Sequence, residues 1–158
     1  MATIAKQPIE IIDPKDGEFR TYPEAASATF KRGELVTLSS GLVAALAGTD
    51  PTANGILGIA LADASGVTNA DAVIFVPTPD SLFSANLGVS QVTAATDRSA
   101  RYGLVEASDL VHVDQSDTTN DRVVVVDLDR RDKIGDTNGR VIFKFLADAL
   151  ALSEVAAA

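Results

Sequence analysis

Between Phe30 and Leu146 the chain breaks into short apolar, β-branched runs, each stopped by Gly, Pro, Asn or Asp. This punctuation constrains the fold more than any other feature, because runs this short are strand-length and cannot supply the long apolar stripe of a globular helix. Gly33 to Gly41 encloses Leu35-Val36-Thr37-Leu38, and Leu42 to Leu46 follows. Gly55 to Ala62 comes next, then Ala72 to Val76, halted by Pro77 and Pro79. Leu82 to Leu87, Leu110 to Val113 and Arg122 to Leu128 continue the series. Arg140 to Leu146 closes it, with Val141, Phe143 and Phe145 alternating against Ile142, Lys144 and Leu146. Asn138-Gly139 just before that run is a hairpin signature, since Asn and Gly accept positive φ. The pattern predicts a mainly β chain, a compact β-barrel or β-sandwich over residues 30–146.

Both flanks differ in composition. Residues 1–29 carry Pro8, Pro14 and Pro23 among Lys, Glu and Asp, which forbids a continuous helix. Ile4, Ile9, Ile11 and Ile12 are the apolar content of the first half of that stretch. It reads as an extended N-terminal arm, mobile alone and ordered on pairing with a partner strand. Pro23 to Ser27 has the makeup of a turn, and Thr96 to Arg101 that of a loop or single turn. Residues 147–158, rich in Ala and Leu, read as a short helical or frayed tail.

Charge and composition narrow the function classes. A chain of 158 residues is one ordinary domain with or without an arm. Thirteen basic against twenty-two acidic residues leave a net charge of −9. Such a chain is a poor partner for nucleic acid or an anionic membrane, both of which need Lys and Arg. Zero Cys removes disulfides, thiolate metal sites and thiol catalysis. No apolar run reaches membrane-span length, and Met1 to Gln7 lacks the apolar core of a signal peptide, so a soluble, cytosolic start is expected.

The players of a catalytic site are mostly missing. His112, the only histidine, lies between Val111 and Val113, and alternation turns it to the opposite face as a surface or rim residue. Asp114, Asp117 and Asp121, then Asp127, Asp129, Asp132 and Asp136, do not match calcium-loop spacing and read as loop formers. Arg130-Arg131, interleaved with Asp129 and Asp132, reads as a solvated charged loop. No phosphate loop occurs. Neither an enzyme, a cofactor nor a metal site is expected.

The order of segments is informative. Phe30-Lys-Arg-Gly-Glu-Leu-Val-Thr-Leu-Ser-Ser-Gly-Leu-Val-Ala-Ala-Leu leads to Asn54-Gly-Ile-Leu-Gly-Ile-Ala-Leu-Ala62, then Val76-Pro-Thr-Pro-Asp-Ser-Leu-Phe83. Over residues 30–146 this resembles the head decoration, or capsid cement, proteins of tailed bacteriophages. The resemblance implies a virion protein on the outer capsid surface, made in the bacterial host cytoplasm. It further implies binding to the phage major capsid protein, commonly as homotrimers. In that setting Ile4, Ile9, Ile11 and Ile12 are the residues expected to pair with a shell subunit.

Three other readings stay open. One is an acidic β-fold hydrolase in which two of Asp80, Asp114, Asp117 or Asp127 converge with a raised pKa. The others are a different virion component, in the tail or head, and a calcium-dependent adhesion module.

Overall fold

The computed structural model describes residues 1–46 and 51–152. Eleven strands carry it: β1 Glu10–Asp13, β2 Glu18–Pro23, β3 Leu35–Ser39, β4 Leu42–Ala45, β5 Gly58–Ala60, β6 Asp71–Val76, β7 Leu82–Asn86, β8 Arg101–Ala107, β9 Leu110–Asp114, β10 Val123–Leu128 and β11 Arg140–Phe145. They form two antiparallel sheets, ordered β1-β7-β11-β10-β8-β9 and β2-β6-β5-β3-β4. The chain is mainly β as its punctuation predicts, and the arrangement is a sandwich, with neither sheet closed into a barrel.

Two cores explain the layering. Phe83, Val141, Phe143 and Phe145 from the six-stranded sheet meet Leu35, Ile59 and Phe75 from the five-stranded one. On the other face of the five-stranded sheet, Val36, Ala60 and Ile74 join Phe30, Val43, Leu57 and Ala72. Strands β5 and β6 therefore send neighbouring side chains into different interiors, which is why they lack the apolar–polar alternation of a half-solvated strand. The five-stranded sheet curls around its private core until Ala25 N–H donates to the Val43 carbonyl.

Positive φ marks the tight turns. Ser40-Gly41 links β3 to β4, and Ser108-Asp109 links β8 to β9, each a two-residue loop with both residues left-handed. Asn138-Gly139 is different. Asn138 is left-handed, but it ends a long connection from β10, so the expected tight hairpin is not what joins the last two strands. Strand β8 was not expected either. Its Gly103 sits where a Cβ would collide with the Asp117 carboxylate, so the glycine admits a close approach.

Residues 1–29 are extended but not free. β1 pairs with β7 and β2 pairs with β6, so the segment supplies an outer strand to each sheet. Ile9, 8% exposed, belongs to the larger core. Ahead of β1, Ile4 N–H donates to the Thr137 carbonyl and Gln7 N–H to Asn86 Oδ1. The expected free arm is instead paired along both sheets of its own chain. The prolines break helix, not sheet: Pro23 closes β2, and Pro8 and Pro14 lie outside the strands. At the other end only a 3₁₀ turn, Ala147–Ala149, forms within residues 147–152, and Leu150 bridges to Ile56. The remainder of the expected tail, 153–158, lies outside the described residues.

Candidate functional site

Three features stand apart from the packing: two open strand edges and one carboxylate cluster. The first edge is β1. Leu87 N–H donates to the Gly139 carbonyl, which assigns the odd residues of β7 to β11 and leaves Ser84 to bond Glu10. The main-chain groups of Ile9 and Ile11 therefore face away from β7. A groove of about 460 Å³ adjoins them, walled by Ile9 and Ile11 on one side and Ile59 and Leu61 on the other. The register slips between Ile11 and Asp13, and Ile12 there is 41% exposed. Charge staples the strand in place: Arg131 donates to Glu10 at 2.8 Å and also to Asp129, which accepts from Ser84 Oγ at 2.7 Å. The Arg131 guanidinium holds Asp129 well below the usual carboxylate range.

The second edge is β2. Glu24 N–H donates to the Ala70 carbonyl, so Glu18, Arg20 and Tyr22 bond β6 while Phe19 and Thr21 turn their main-chain groups outward. Glu18 through Thr21 are all exposed. Phe19 is 68% exposed, with its ring 5.4 Å from that of buried Phe75. Arg20 and Glu18 pair at 2.7 Å.

The carboxylates of Glu34, Glu106 and Asp109 form the third feature, their oxygens within 4.8 Å of one another. Glu34 precedes β3, Glu106 is the penultimate residue of β8, and Asp109 sits in the β8–β9 turn, so both sheets contribute. Glu34 is buried and accepts from Lys31 N–H at 3.0 Å. Burial, then a hydrogen bond and charge from Glu34, push Glu106 up to about 8. Burial and the neighbouring carboxyl groups thus favour the protonated form of Glu106. It borders an open groove of about 620 Å³ whose walls include Ala28, Lys31, Ala45 and Ala64. Within the carboxylate cluster Glu34 lies 72 residues before Glu106, and no local motif links them.

The residues singled out from sequence are scattered. Ile4 and Ile11 are half-buried, Ile9 is buried and Ile12 is open. Asp114 and Asp127 do not converge: Asp114 accepts from Gln91 and Ser116, Asp127 from Arg98, and hydrogen bonds pull both below the usual range. Asp117 caps its own loop by accepting from Asn120 N–H. The loop around Arg130 is less solvated than its charge suggests, since Asp132 is buried against Arg140 and Asp136 is buried too. His112 is fully buried, not on the rim, and both ring nitrogens lack a hydrogen-bond partner. Alternation misleads there because β9 is covered on both faces. Desolvation, with the charge of Lys6, pulls His112 down to about 4.

No protein-family model, no curated protein and no solved structure matches this chain.

Proposed function

We propose that this protein is a non-enzymatic virion component that binds the outer surface of an icosahedral phage capsid and clamps neighbouring subunits of the major capsid protein. The observation that carries the reading is the open edge of β1 beside a groove walled by both sheets. A strand of a shell subunit laid along β1 gains main-chain bonds from Ile9 and Ile11 and buries side chains against Ile59 and Leu61. Ile12, exposed beside the register slip, meets the shell surface. Ile9 acts by holding β1 in the core, and Ile4 by fixing the chain ahead of it. A net charge of −9 suits an outer position, away from packaged nucleic acid. Binding the assembled lattice and not free subunits stabilises the shell by mass action. The resemblance over residues 30–146 supports the same reading and adds the homotrimer, formed on the shell.

Cosedimentation with shells built from the phage's own major capsid protein tests this. Ile11→Pro blocks the outward N–H without touching the β7 ladder, and it weakens binding about tenfold or more. Ile12→Asp weakens binding less. Undiminished binding by both variants sinks the reading.

A second reading rests on Glu106 and Glu34. Carboxyl groups held within 4.8 Å of one another, with the protonated form of Glu106 favoured, are the kind of pair an acidic hydrolase uses, on residues other than the aspartates expected. Turnover of an ester, phosphate or glycoside that Glu106→Gln abolishes would establish it.

A further inference from the structure

We infer that two copies of this chain associate through β2, edge to edge and antiparallel about a two-fold axis at Phe19. This goes beyond the shell-binding reading and does not depend on it. The argument begins with the main chain. Only residues whose N–H and C=O point outward can form close hydrogen-bonded pairs across a new edge, and in β2 these are Phe19 and Thr21. Pro23 shares their parity but has no N–H to offer. Few registers remain.

Charge selects among them. With Phe19 opposite Phe19 of the second copy, Glu18 faces Arg20 of that copy, and Arg20 faces its Glu18. Moving the axis outward so that Phe19 faces Thr21 sets Arg20 against Arg20. Moving it the other way, with Gly17 facing Phe19, sets Glu18 against Glu18. One register attracts and its neighbours repel, so the edge specifies its partner as well as accepting one. In that register Phe19 N–H of each copy donates to the Phe19 carbonyl of the other. Thr21 N–H donates to the Gly17 carbonyl at each end. The two phenyl rings, each already seated on a Phe75, cover one another and remove the most exposed aromatic side chain among the described residues from water.

The other edges do not offer this. The charges of β1, Glu10 and Asp13, are both acidic, so self-pairing forms no ion pair there. β4 carries no charge, and Val113 of β9 is bridged to Leu87. Edge charges commonly serve to keep sheets apart. In Glu18-Phe19-Arg20 they do so only for wrong registers, because the triplet is its own complement when read antiparallel. A two-fold contact of this kind joins the two five-stranded sheets into one continuous sheet.

Sedimentation velocity on the full chain tests the proposal. The wild-type protein is expected to show a monomer–dimer equilibrium shifting with concentration. Glu18→Arg and Arg20→Glu each place like charges opposite and weaken self-association about tenfold, with unchanged circular dichroism since both positions are exposed. The decisive sample is the mixture. Glu18→Arg with Arg20→Glu restores two opposite-charge pairs and recovers a heterodimer, and the double variant recovers the homodimer. A mixture that stays monomeric, or single variants that associate as tightly as wild type, overturns the proposal. A chain ending at Leu152 is expected to dimerise equally. If only that shorter chain associates, the last six residues are the occupant of the edge and the proposal fails.

Discussion

The two cores differ in kind. The larger holds Phe75, Phe83, Phe143 and Phe145 in one chain of ring contacts, with centroids 5.1 to 5.9 Å apart. The smaller has a single Phe30 among Val36, Ala60 and Ala72. Aromatic rings bury much area per residue, so the larger interior binds the two sheets together. Small side chains let a sheet curl tightly, so the smaller interior shapes one sheet. Stability and shape are held in different places.

Substitution in each core sharpens that contrast. Phe83 touches three other rings, and Phe83→Ala is expected to cost about 4 kcal/mol in urea unfolding, a large part of a single domain's stability. Phe30→Ala is expected to cost about 3 kcal/mol, with hydrogen exchange accelerating in β2 to β6 before the six-stranded sheet. Uniform acceleration over both sheets would erase the distinction between the cores.

Proton binding separates the regions further. The folded-state value of His112, in the six-stranded sheet, lies near 4 against an ordinary 6.5, so the unfolded chain holds more protons between them. Stability is therefore lost as pH falls from 6.5 towards 4, by roughly 3 kcal/mol. His112→Leu removes that limb and also removes two unpaired ring nitrogens. Glu106, at the seam between the sheets, has the opposite sign. Its folded-state value is near 8 against an ordinary 4.5, so stability declines as pH rises between those values. Glu106→Gln flattens that limb. Between pH 4.5 and 6.5 the two slopes oppose, so each variant alone steepens the other's limb there.

The strands most legible in the sequence are those that one solvent-excluded face dictates. β10 and β11 are written in Val and Phe at alternate places. β1 and β2 are hard to read because edge strands tolerate charge and neighbouring proline, so their residues look like an appendage. β8 hides behind Arg101, Gly103 and Glu106, which interrupt the apolar pattern, the last two for contacts outside the strand. The carboxylate cluster joins residues from both sheets, and only the sandwich brings them within reach. Of the four isoleucines chosen as contact residues, only Ile12 has an exposed side chain, because apolar character marks a residue for burial before it marks it for docking.

Strands β5 and β6 have an inheritance that follows from serving two interiors at once. Ile59 and Phe75 fill the roomy one, Ala60 and Ile74 the narrow one. A slip of β5 by one residue would drive Ile59 into space cut for Ala60, and a slip of β6 would drive Phe75 into space cut for Ile74, each leaving the opposite space underfilled. Misaligned pairings thus fail on both sides together. The middle of the five-stranded sheet proofreads its own alignment, and changes in these strands are expected to become fixed in pairs, one on each side.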